Sequence, residues 1–93
     1  MEIHIEVDIG DGPFQLTAGL WPLVQWERKF NTKASKLADS IGLEDLAYLA
    51  YETSKQQKIV VPATFDDYCK KIVAIRLVSG SADPTKAAAS DGD

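Results

Sequence analysis

The sequence predicts an α+β domain: an N-terminal β-hairpin packed on three to four short helices, with a disordered C-terminal tail. Three observations lead there. Residues 2–9, EIHIEVDI, alternate strictly between apolar and polar, the period of a half-buried strand. From Trp21 to Leu77 the apolar residues recur mostly at helical spacing, interrupted at Asn31, Gly42 and Pro62. From Ser79 onward, SGSADPTKAAASDGD contains no aromatic or large aliphatic side chain to offset the entropy of ordering it. The expected organisation is one globular domain at 1–78 and a flexible tail at 79–93.

In the first strand Ile3, Ile5, Val7 and Ile9 share one face, and Glu2, His4, Glu6 and Asp8 the other. Gly10-Asp11-Gly12-Pro13 supplies turn residues, and Phe14 and Leu16 alternate with Gln15 and Thr17 beyond it, so a second strand closes an antiparallel hairpin. A hairpin alone is not stable and needs helices on its Ile/Val face.

Pro22 suits a first helical turn, where a missing N–H costs nothing. Leu23, Trp26 and Phe30 follow at helical spacing, and Ala34, Leu37 and Ile41 continue the stripe. The Asn31-Thr32 pair favours a cap over a helix interior. This predicts one helix at about 22–30 and a shorter one at about 33–40, or a single kinked helix. Gly42 precedes a helix at about 44–57 whose first turn carries Glu44 and Asp45, favourable beside the positive end of the helix dipole. That helix has almost no polar face between Leu43 and Tyr51, so it is either central to the fold or presented to a partner. Residues 59–63 form an extended connector through Pro62. Thr64 and Asp67 cap a last helix whose inner stripe is Phe65, Tyr68, Cys69, Ile72, Val73 and, further on, Arg76 with Leu77.

Composition limits the chemistry. The chain has 93 residues, 45% apolar and 26% charged, with one cysteine and one histidine. That is room for a core but hardly for a deep active site as well. The apolar runs are far shorter than the roughly 20 residues that span a bilayer. The chain opens Met-Glu without a basic and then apolar leader, so a cytoplasmic protein is expected. The lone Cys69 forms no internal disulfide, in keeping with a reducing compartment. His4 lies on the polar side of the first strand, away from any nucleophile pattern, and one His with one Cys does not make a structural zinc site. The carboxylate pairs Glu44-Asp45 and Asp66-Asp67 sit in first helical turns, where they stabilise free N–H groups. No phosphate-binding glycine motif occurs; Gly10 and Gly12 belong to a turn. The chain therefore reads as a non-enzyme without a cofactor or metal.

The net charge of −4 is unevenly spread. Glu2, Glu6, Asp8 and Asp11 stand without a base in the first twenty residues, whereas Arg28, Lys29, Lys33 and Lys36 cluster in the next twenty. The stretch KLADSIGLEDLAYLAYE has the layout of a helix-turn-helix, with Ala38 in the first helix and Gly42 in the turn. The second helix, however, leads with Glu44 and Asp45 and carries no base before Lys55, which phosphates and base edges do not reward. No sequence-specific nucleic-acid binding is expected. Aromatic and arginine side chains are enriched in protein-binding hot spots. Trp21, Arg28, Lys29, Tyr48 and Tyr51 are therefore the candidate partner-binding residues, while Trp26 is assigned to the core.

Three blocks carry a resemblance: WERKF at Trp26–Phe30, EDLAYLA at Glu44–Ala50, and P-x-T-F-D-D at Pro62–Asp67, with DPTKAAA in the tail. In this order the chain resembles, over about residues 14–88, the small tail assembly chaperones of long-tailed bacteriophages and prophages, particularly those of actinobacterial phages. None of the blocks is a catalytic motif. The resemblance implies a non-enzymatic role in the host cytoplasm: transient binding of the tape measure protein during tail assembly, with tail tube subunits as a further candidate partner. In many members a ribosomal frameshift near the end of the reading frame adds a second domain. The competing readings are a helix-turn-helix DNA-binding regulator and a small structural virion protein of the head-tail or tail completion type. A homo-oligomer is also open to a chain with a hairpin edge, although Glu2, Glu6 and Asp8 discourage edge pairing.

Overall fold

A computed structural model of the chain describes residues 2–37 and 39–80. They form a small α+β domain with a three-stranded antiparallel sheet and three α-helices. The hairpin of β1 (Ile3–Asp8) and β2 (Pro13–Ala18) pairs Ile3 with Ala18, Ile5 with Leu16 and Val7 with Phe14. Asp8 fixes its turn: its Oδ1 accepts from the N–H of Gly10 at 2.8 Å and of Gly12 at 3.3 Å. Both glycines have positive φ, which side-chain-bearing residues rarely adopt.

Helix α1 (Leu20–Phe30) begins two residues earlier than expected, and Pro22 occupies its first turn. Asn31, in the left-handed conformation at φ 52°, ends it, and the Thr32 N–H closes back on Glu27 O. The second short helix expected at 33–40 is reduced to one 3₁₀ turn, Ala34–Lys36. The Glu27 carboxylate holds that turn to α1, accepting from the Ala34 N–H at 2.6 Å. Helix α2 (Leu43–Gln56) has Leu46 through Ser54 buried without a break, so its nearly apolar girth belongs to the middle of the domain. Thr64 caps α3 (Phe65–Lys71) as its spacing predicts, its Oγ1 accepting from the Asp67 N–H at 3.1 Å.

The largest departure from expectation lies after Lys71. The helix stops there, Ile72 is extended, and Ala74–Gly80 form a third strand, β3. This strand pairs antiparallel with β1, giving the order β2-β1-β3. The Val73 N–H opens the pairing with a 2.7 Å bond to Asp8 O, Ile75 lies opposite Val7, and Leu77 opposite Ile5. A bulge follows, since Ser79 pairs with His4 and Val78 is skipped. Arg76 and Glu6 make a 2.7 Å ion pair on the polar face. β1 is thus the central strand, and its Ile3, Ile5 and Val7 are nearly inaccessible. Of the acidic residues read as guarding an edge, Glu6 and Asp8 stand on that central strand and Glu2 just before it, and the sheet edges are β2 and β3. Ser79 and Gly80 belong to the sheet, two residues past the expected domain boundary; the rest of the expected tail, 81–93, lies outside the described residues.

One core cluster joins Ile5, Val7 and Leu16 of the sheet with Leu23 and Trp26 of α1, Leu46 and Leu49 of α2, and Tyr68 of α3. At full burial each of these aliphatic side chains contributes about 1.5–3 kcal/mol.

Candidate protein-binding surface

The five expected contact residues divide into two groups. Trp21, 48% exposed, and Arg28 stand seven positions apart on α1, which places them on one face. Leu20, beside Trp21, is 79% exposed. This face of α1 therefore presents two large apolar groups and a cation to solvent.

Tyr48 and Tyr51 are not on that surface: they are 8% and 5% exposed. Both belong to an aromatic chain through the domain. Trp26 meets Phe30 at a centroid distance of 5.4 Å, Phe30 meets Tyr48 at 5.8 Å, and Tyr48 meets Phe65 at 5.5 Å. Tyr51 continues it to Phe65 and to Tyr68, at 5.8 and 5.1 Å. The Tyr51 hydroxyl lies 3.1 Å from Pro62 O and 3.0 Å from Ala63 O, so it ties the extended connector to α2. These rings lie at helical spacing on α2 toward α1 and α3, and the need to cover them takes both tyrosines out of the solvent. Lys29 is exposed, yet its Nζ lies 5.5–5.8 Å from the ring centroids of Phe30, Tyr48 and Phe65 and covers the cluster from outside.

The chain's one histidine, His4, pairs across the sheet with Thr17, Nδ1 to Oγ1 at 3.0 Å. Among the described residues no group of three or more His, Cys, Asp and Glu side chains stands together as a metal site, and no helix is long and apolar enough to cross a membrane.

A surface feature absent from the sequence reading lies between the start of α2, α3 and β3. It is an open groove of about 350 Å³ lined by Leu43, Ala47, Phe65, Cys69, Ile72 and Ile75, with Glu44 and Asp66 on it as well. Leu43, at 72% exposure, projects beside it. Cys69 is half-buried here and not a core residue. Its thiol pKa is raised by burial first, then by the carboxylates of Asp66 and Glu44. Ile72 and Ile75 reach this groove because the chain is extended from Ile72 onward, which helical spacing through 65–77 does not reveal.

Comparisons of the chain with protein-family models, with curated proteins and with solved structures find no match. The surface therefore has to be interpreted from its own chemistry.

Proposed function

We propose that this chain is a protein-binding assembly factor, a tail assembly chaperone that transiently holds the tape measure protein while a phage tail is built in the host cytoplasm, with tail tube subunits as a second candidate partner. The observation that carries the reading is the amount of large apolar surface left on so small a domain. Leu20, Trp21, Leu43, Val60 and Val73 are all substantially exposed beside a core of buried residues drawn from the sheet and all three helices. Leu20 and Trp21 adjoin at the start of α1, and Leu43 lies on the apolar groove; grouped apolar side chains of this kind mark contact surfaces, as single exposed ones do not. A tape measure protein, a long helical chain with apolar stripes until the tube encloses it, is an occupant of matching chemistry. The order of the WERKF, EDLAYLA and P-x-T-F-D-D blocks supports the assignment to this family.

The fold lends the helix-turn-helix alternative little support. The element before α2 is a 3₁₀ turn, and α2 buries nine consecutive residues that a recognition helix would need at its surface. Co-expression with the tape measure protein of the same tail gene cluster tests the proposal. The two proteins are expected to co-purify, and the chain is expected to be missing from purified virions. Stoichiometric retention in virions would favour a structural virion protein, and no co-purification would overturn the chaperone assignment.

A further inference from the structure

We propose that the groove between the start of α2, α3 and β3 is the seat of a partner segment of defined chemistry: an amphipathic helix carrying a lysine or arginine beside its apolar stripe. The inference rests on the protein-binding role proposed above and adds where the partner binds and what it must present.

The wall is apolar, with Leu43, Ala47, Phe65, Ile72 and Ile75. The charged groups on it, Glu44 and Asp66, carry one sign, and among the described residues neither is in an ion pair. Cys69 lies on the same wall, where burial first and then the Asp66 and Glu44 carboxylates raise its thiol pKa. Glu44 and Asp66 are exposed at the edge of this apolar wall, so an occupant that adds a base beside its apolar stripe complements their charge, which a purely apolar one does not. The chain's own residues 81–93 fit poorly, because they offer three aspartates, a single lysine and nothing larger than alanine, proline or threonine to fill the apolar wall. A second copy seated groove to groove would oppose like charges.

The test uses the full chain and synthetic peptides of about 18 residues, five helical turns. One carries leucines at i, i+3, i+4 and i+7 flanked by lysines, one replaces those leucines by serine at the same charge, and one replaces the lysines by glutamate. The Leu/Lys peptide is expected to bind and to protect Cys69 from iodoacetamide. Leu43→Ser, and separately Glu44→Gln with Asp66→Asn, should each weaken that binding by about tenfold. Equal binding by the serine peptide or the glutamate peptide, or binding that leaves Cys69 unprotected, would overturn the proposal. So would self-association that Leu43→Ser abolishes, or faster Cys69 alkylation on deletion of 81–93, since then a second copy or the tail is the occupant. Should the tape measure protein co-purify equally well with the groove variants, the groove assignment fails and the chaperone role stands. Should it fail to co-purify with the unsubstituted chain, the role fails irrespective of the peptides.

Discussion

The indole Nε1–H of Trp26 donates to Asp45 Oδ1 at 2.8 Å, tying α1 to the first turn of α2. The other oxygen of the same carboxylate accepts from the Gly42 N–H at 2.8 Å, so Asp45 closes the helix start and anchors its neighbour at once. Asp45→Ala leaves both donors without this partner and is expected to cost about 1–3 kcal/mol in chemical denaturation. In a Trp26→Phe background the same substitution should cost less, because one donor is already gone.

β3 is expected to be indispensable although it comes last in the chain. Truncation after Val73 exposes one side of β1, including the main-chain groups that pair with β3, and should abolish the cooperative unfolding transition. Truncation after Gly80 keeps the whole strand and should shift the melting temperature by no more than about 2 °C. Circular dichroism melts of the two truncations separate these outcomes.

The hairpin was legible because its alternation and its Gly-Asp-Gly-Pro turn are both local signals. The same holds for the Asn31 stop and the Thr64 cap, each made by a side chain or backbone torsion within a few residues. β3 was missed because Tyr68, Cys69, Ile72 and Val73 continue the stripe begun by Phe65, so helical spacing runs on past the true end at Lys71. What makes 74–80 a strand is pairing with β1, about seventy residues away, which no local pattern encodes. β-branched Ile72, Val73 and Ile75 were the available hint. The candidate site was half legible: Trp21 and Arg28 are at the surface, but Tyr48 and Tyr51 read as contacts only while the rings facing them, Phe30, Phe65 and Tyr68, were unplaced.

Core and contact should separate on substitution. Leu49 is fully buried in α2, and Leu49→Ala is expected to cost about 2–5 kcal/mol of folding stability. Trp21→Ala and Arg28→Ala should stay within about 0.5 kcal/mol of the parent in stability. Each is expected to weaken the complex with the tape measure protein by more than about 1 kcal/mol, read by titration calorimetry. An unchanged affinity for both would remove the α1 face from the interface.

Alkaline pH should destabilise the domain through its tyrosines. Burial, and then the neighbouring Glu52 carboxylate, push the Tyr48 phenol up from 10.0 to about 12. Burial raises Tyr68 as well, and the Ser54 hydroxyl beside it pulls the other way without reaching hydrogen-bond geometry. The fold therefore holds the neutral phenol, while the unfolded chain loses its proton first. The stability contributed by Tyr48 is complete below pH 10.0 and is lost as pH rises through about 12. Denaturation midpoints measured on either side of that window should fall with pH, and Tyr48→Phe should flatten the fall.

The most direct measurement is the morphology of particles released by a phage whose copy of this gene is deleted, seen by negative-stain electron microscopy. The account predicts filled heads without tails, with tails restored when the intact chain is supplied in trans. Normal tails of normal length from the deletion phage would contradict it.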